Sequence, residues 1–188
     1  MPVKRAWAAL AAVAILTVAA CSGVDRGADV DVQAAEDFDA FPLVWVGERF
    51  EQWELRSIEL PGPAGFATFS YGDCEVVGRD GGCAPPLQIQ IAPLCAQLQD
   101  VAQAPIWQRR SIRGAPVGTI DSAPVLFTSG AQVKVYRGQA SDAGLALRAL
   151  RALRSVNRVE PVIDAGGPIP PPSLEVLAGT QPCRPVHG

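Results

Sequence analysis

The chain has 188 residues, with 16 Lys and Arg against 19 Asp and Glu, five cysteines and one histidine. That length suits one domain with a real core, and the mildly acidic balance argues against a nucleic-acid partner. The single histidine, His187, is the penultimate residue, which leaves little material for a Ser-His-Asp or Cys-His site or for an ordinary zinc site.

Residues 1–20 read as an export signal. Lys4 and Arg5 are a positive start, residues 6–20 are an uncharged apolar run of 15, and the small Ala19 and Ala20 precede the expected cut. Fifteen residues rising 1.5 Å each make about 22 Å of helix, short of the ~30 Å hydrocarbon core, so a permanent span is not expected. Val18-Ala19-Ala20-Cys21 resembles the lipobox of bacterial lipoproteins, with Val18 where leucine is commoner. The resemblance implies cleavage before Cys21, lipid on its sulfur, anchoring at the extracytoplasmic face of the cell membrane, and hence the membrane as a partner. Two or three acyl chains, at ~0.8 kcal/mol per buried CH₂, hold a protein stably where one does not.

Cysteine parity agrees. Assigning Cys21 to lipid leaves Cys74, Cys83, Cys95 and Cys183, an even set suited to disulfides in an oxidising compartment. Three pairings are possible, and Cys74–Cys83 with Cys95–Cys183 is favoured because the first pair flanks a Gly-rich turn. In the chain-entropy model these contribute about 2.7 and about 4.6 kcal/mol, the larger for the longer loop. Without Cys-x-x-Cys spacing the four make a poor zinc site. No metal and no cofactor is expected.

After the signal, 14 basic residues face 19 acidic ones. Residues 21–40 form a lipidated acidic tether: Asp25, Asp29, Asp31, Glu36, Asp37 and Asp39 lack the spacing of a calcium loop. As solvated coil the tether reaches on the order of 25 Å. The globular domain is assigned to residues 41–160. A short buried strand is expected over 43–46. Trp53, Leu55 and residues 58–60 continue after a turn, stopped by Pro61-Gly62-Pro63. Over 66–71, Ala67, Phe69 and Tyr71 share one face, and over 87–91 isoleucines and glutamines alternate. Leu94, Leu98 and Val101 predict a helix over 94–103, ended before Pro105. Residues 125–128 and 132–137 read as a hairpin across Ser129-Gly130. A second helix is expected over 142–155, capped by Ser141 or Asp142, with Ala143, Ala146, Leu147, Leu150 and Leu153 as its apolar stripe.

These elements predict an α+β fold, a mainly antiparallel sheet of roughly five to seven strands covered on one face by the 142–155 helix and braced by disulfides. Residues 161–188 are a Pro/Gly-rich arm, extended over 166–172, with Ser173 capping one turn through Ala178. The arm is expected to be mobile unless Cys183 is bridged.

Val46-Gly47-Glu48-Arg49-Phe50-Glu51, Tyr71-Gly72-Asp73-Cys74-Glu75 and Gly81-Gly82-Cys83-Ala84-Pro85-Pro86-Leu87-Gln88-Ile89-Gln90, with the later Arg113-Gly114-Ala115-Pro116 turn, resemble lipoproteins of unknown function from GC-rich, actinobacterium-like genomes. The likeness spans much of 44–157. It implies a lipoprotein and carries no activity.

Chemical motifs are sparse. There is no Gly-x-Ser-x-Gly, no Ser-x-x-Lys and no Walker or Rossmann glycine pattern, so no catalytic residue is assigned. Glu48, Glu51, Glu54, Asp73 and Glu75 are either solvated acids beside turns or the source of a glycosidase-like pair roughly 5–9.5 Å apart. Trp45, Phe50, Trp53, Phe66, Phe69 and Tyr71 are core aromatics or the lining of a groove. Arg148, Arg151, Arg154 and Arg158 step by three and drift around a helix. They are the wet side of that helix or a contact for anionic headgroups or an acidic wall polymer. The expected function is a lipid-anchored, non-catalytic envelope module that binds an unidentified ligand or protein. A tethered hydrolase using paired carboxylates is the alternative, and a purely structural envelope protein the third.

Overall fold

The computed structural model describes residues 30–61, 65–77, 82–97, 110–139 and 141–177. The signal, Cys21, Cys183, His187 and most of the helix expected over 94–103 lie outside them. In chain order the first elements are α1 (Val32–Asp37), β1 (Val44–Trp45), β2 (Arg49–Phe50), β3 (Trp53–Glu59) and β4 (Ala67–Tyr71). Next come β5 (Glu75–Val77), β6 (Gly82–Ala84), β7 (Leu87–Pro93), a 3₁₀ turn (Leu94–Gln97) and β8 (Ser111–Ile112). The rest are β9 (Ala115–Ile120), β10 (Ala123–Phe127), β11 (Ala131–Arg137), α2 (Leu145–Ala152), β12 (Arg154–Ser155) and α3 (Leu174–Leu177).

Period-two patterning builds the centre of the molecule. Leu87, Ile89 and Ile91 of β7 are fully buried while Gln88 and Gln90 are half-buried, and Ala67, Phe69 and Tyr71 of β4 are fully buried on the same side. β10 and β11 pair with Leu126 opposite Val133, across a turn in which Thr128 Oγ1 accepts from the Ala131 amide at 2.9 Å. The full sheet has eight strands in the order β2-β3-β4-β7-β11-β10-β9-β8, with antiparallel pairing throughout. β1 pairs separately with β12, and β5 with β6. The architecture is α+β and mainly antiparallel.

β9 has no counterpart in the sequence reading. Pro116 and Gly118 interrupt its pattern, and two two-residue turns fix it instead. Arg113-Gly114 (φ 54° and 93°) joins β8 to β9, and Asp121-Ser122 (φ 49° and 67°) joins β9 to β10. Positive φ at both central residues suits the twist of a tight hairpin.

One face of the sheet carries the main core, including Phe69, Ile89, Leu126 and Val133, under Leu145, Ala149, Leu150 and Leu153 from the α2 segment. The other face carries a smaller core of Val125, Phe127, Leu94 and Leu177, closed by α3. Ser173 caps α3 as expected, its hydroxyl accepting from the Val176 amide at 3.2 Å.

Three segments differ from expectation. Residues 32–37, read as solvated spacer, are a helix: Asp31 accepts from the Ala34 amide at 2.9 Å, Ala35 is fully buried, and Val32 and Phe38 pack on the core. Ala35 and Val32 give this acidic helix its contact, and the chain after it is clamped by buried Asn157. The Asn157 amide nitrogen donates to the carbonyls of Phe38 (2.8 Å) and Phe41 (2.9 Å), and its oxygen accepts from the Leu43 amide at 2.8 Å.

Second, α2 is shorter than 142–155. Asp142 opens a turn before it, accepting from the Gly144 amide at 2.6 Å. Leu153 then turns extended (φ −56°, ψ 140°) so that Arg154 and Ser155 can pair with Trp45 and Val44. Third, residues 161–177 do not trail from the domain. Ile163 and Ile169 are buried in the main core, the Ile169 amide donates to the Arg113 carbonyl at 2.8 Å, and the Ser129 amide donates to Pro170 at 2.9 Å. The Arg113 guanidinium fastens this arm to the end of α2. It donates to the carbonyls of Arg151 (3.3 Å), Leu153 (2.5 Å), Asp164 and Gly167.

Candidate functional site

Seven inter-strand spacings of ~4.8 Å make this sheet roughly 34 Å wide, while a helix with its side chains is about 10–12 Å across. α2 therefore cannot cover one face alone. Toward β3 and β4 the cover is completed by α1, the β1–β12 pair and the arm. Toward β8 and β9 it is not, and a groove of about 890 Å³ opens beside α2. Val117, Thr119, Pro124 and Val135 line its sheet side, Ala146, Leu147 and Arg151 its helix side, and Arg110, Ser111 and Ile112 the far side. That volume falls in the range of clefts that seat small ligands.

The groove is cationic. Arg110, Arg137 and Arg151 line it beside one carboxylate, Asp121, which the Lys134 ammonium holds at 3.0 Å. Partial burial works against that ammonium, but hydrogen bonds to Tyr136 and Asp121 outweigh it and raise the Lys134 pKa. Arg137 donates to the Ser141 carbonyl at 3.0 Å. Among the described residues Arg110 and Arg151 have no acidic partner.

The expected four-arginine series does not form one stripe. Arg148 binds Glu51 (2.6 and 3.2 Å) and Asp142 (2.6 and 3.1 Å). Arg151 reaches the groove. Arg154 has left the helix and lies 5.8 Å from the Trp45 ring, against Gly47, whose positive φ of 98° and missing Cβ make room for it. Arg158 is exposed beyond β12. Termination of α2 at Ala152 separates them, because strand pairing at β12 overrides the helical period. Arg110 and Arg137 were not singled out. Their separation of 27 residues gives no linear signal that they face one groove.

Hydrogen bonds from Arg148 and then the Gly144 amide hold the Asp142 carboxyl down to about 2. Its folded value lies below the ordinary ~3.9, so whatever the pair contributes is present above pH ~4 and lost as pH falls through about 2. An NMR titration of the Asp142 carboxyl should show a midpoint near 2, and Arg148→Gln should return it toward ~4. An ordinary midpoint in the wild type would dissolve the pair.

The acidic candidates are dispersed among arginines. Glu51 meets Arg148, Glu54 meets Arg49, and Asp73 meets Arg56 at 3.1 Å. Glu48 and Glu54 line a smaller pocket of about 440 Å³ with Val30 and Val32, and the Glu75 side chain is outside the described residues. The aromatics are mostly core: Phe69 and Tyr71 are fully buried, Trp45 nearly so, Phe50 and Trp53 pack at its margin, and Phe66 is exposed. The Tyr71 hydroxyl accepts from the Val46 amide at 3.4 Å, and burial drives its pKa well above that of an ordinary phenol.

No cluster of three metal-ligating side chains occurs among the described residues, and no described helix is long and apolar enough to cross a membrane. No family model matches the chain, nor does any curated protein or solved structure.

Proposed function

We propose that the protein is a lipid-anchored, extracytoplasmic, non-catalytic binding module whose ligand seat is the groove between α2 and the β8–β9 edge. The observation that supports it is the groove itself, an apolar floor beside Arg110, Arg137 and Arg151, none of which has an acidic partner among the described residues. Surplus charge around a concave apolar surface is costly to maintain for fold alone and suits a ligand that supplies the counter-charge. The anchor is lipid on Cys21, after cleavage of residues 1–20. The remaining four cysteines pair as Cys74–Cys83 and Cys95–Cys183. The β5–β6 hairpin that carries Cys83 opposite Val76 suits this.

One experiment addresses both halves. Cys21→Ser should move the protein from the membrane to the soluble fraction, and a variant that stays membrane-bound overturns the anchor. The soluble chain is then melted with short-chain phosphatidylglycerol, glycerol phosphate and N-acetylglucosamine oligomers. A ligand at 100-fold its Kd stabilises by about 2.7 kcal/mol. At least one compound should raise the melting temperature, and Thr119→Trp, which fills the groove, should abolish the shift. A chain unmoved by all of them supports a purely structural envelope role instead.

A further inference from the structure

Resting on the groove as ligand seat, we infer that its ligand is a small anionic amphiphile, an acidic head on an aliphatic body, with the head between Arg110 and Arg151 and the body along the floor toward Val135. The two ends of the groove differ. Arg110 lies just before β8, its carbonyl accepting from the Val117 amide at 3.0 Å. Arg151 is in the last turn of α2, whose carbonyl shares the Arg113 guanidinium. Arg110 is therefore level with Val117 at the edge of the sheet, across the groove from the last turn of α2. The exposed hydroxyls of Ser111 and Thr119 line the same groove.

Beyond them the lining changes character. Val117, Val135, Ala146 and Leu147 give an apolar strip, and from Arg151 back to Ala146 the helix rises about 7.5 Å over five residues. That length accepts a chain of several methylenes, each of which gains by leaving water. Asp121, the one carboxylate among the described lining residues, is in the β9–β10 turn and is already matched by Lys134. A free inorganic anion would use the arginines and leave the strip wet. A neutral lipid would cover the strip and leave Arg110, Arg137 and Arg151 without a counter-charge among the described residues. Only a ligand with both parts satisfies both surfaces. Arginine forks also favour an oxyanion head, which they can grip with paired N–H donors.

The test uses the mature chain (residues 21–188) carrying Cys21→Ser, which keeps every described residue. Hexyl phosphate, hexanol and inorganic phosphate are titrated by calorimetry. Hexyl phosphate should bind saturably and at least tenfold more tightly than either other probe. Arg110→Gln with Arg151→Gln should erase that advantage, leaving hexyl phosphate no better than hexanol. A second reading needs no variant: raising KCl from 50 to 500 mM should weaken hexyl phosphate and leave hexanol unchanged. Equal binding of hexanol and hexyl phosphate, or indifference to salt, overturns the anionic head while the groove remains a seat for neutral ligands. Phosphate binding as tightly as hexyl phosphate overturns the aliphatic body. Saturable binding by none of the three, in a chain that melts cooperatively, overturns the amphiphile and counts against the groove as a seat.

Discussion

Asn157→Ala should cost about 3 kcal/mol of folding stability, since it leaves a buried amide, a buried carbonyl and a part-buried one without partners at roughly 1–3 kcal/mol for each unsatisfied buried group. In a domain of this size that lowers the melting temperature by about 6–12 °C. Asn157 is almost fully buried and is the link between the chain after α1 and the turn after β12. Asn157→Asp separates hydrogen bonding from side-chain volume. At pH 7 it keeps the acceptor for Leu43 but aims a carboxylate at the Phe38 and Phe41 carbonyls, so it should be at least as harmful as alanine. Burial raises the folded pKa of such a carboxyl above its unfolded value. Its neutral form, able to donate one bond, is therefore favoured at low pH, and the Asp variant should recover relative to Asn157→Ala below about pH 4. Thermal melts of the three proteins at two pH values decide it, and an alanine variant within 1 kcal/mol of wild type would mean the clamp is not formed.

Arg113→Asn should cost about 2 kcal/mol, less than four isolated charge-assisted bonds would imply, because the guanidinium is partly exposed and the freed carbonyls regain water. Asparagine tolerates the left-handed backbone that Arg113 adopts at φ 54°, so the loss reports the side chain and not the turn. Arg113→Lys should recover less than half, since an ammonium cannot fan across the carbonyls of Arg151, Leu153, Asp164 and Gly167. Amide exchange should locate the damage: protection at Ile169 and at Ser155, whose amide donates to the Ile163 carbonyl at 2.8 Å, should fall more than protection in β7. An Asn variant with native protection would remove Arg113 as the fastening of the arm.

Legibility in the sequence followed the physics of each segment. The centre of the sheet was readable because Leu87–Ile91 and Gln132–Arg137 alternate with period two and the Ser129-Gly130 turn sits between strands of the right length. Burial of Phe69 and Tyr71 followed from the same alternation. β9 was not readable, because Pro116 and Gly118 break its alternation and its position depends on two two-residue hairpin turns, the first of which holds Arg113, not a typical turn former, in the left-handed region. The end of α2 was invisible for another reason: no glycine or proline lies near Leu153, and only pairing with β1, distant in sequence, unwinds it. Burial of Ala35 within an acidic run is likewise a tertiary event. The groove was the least legible of all, since it arises from what one helix fails to cover. Of its three arginines only Arg151 stood out beforehand, as part of a helical series that the fold breaks up.

The packing of α1 also sets how far the domain can stray from its anchor. Only nine peptide steps separate Cys21 from Val30, and no conformation stretches them beyond about 32 Å. With lipid on Cys21, as proposed, this leash starts beside the β2–β3 edge, where Val30 and Val32 meet Arg49 and Glu54. The groove is at the opposite edge, so the sheet, at roughly 34 Å, is slightly longer than the fully stretched leash. An anchor at Cys21 would therefore lie at the edge of the sheet away from the groove.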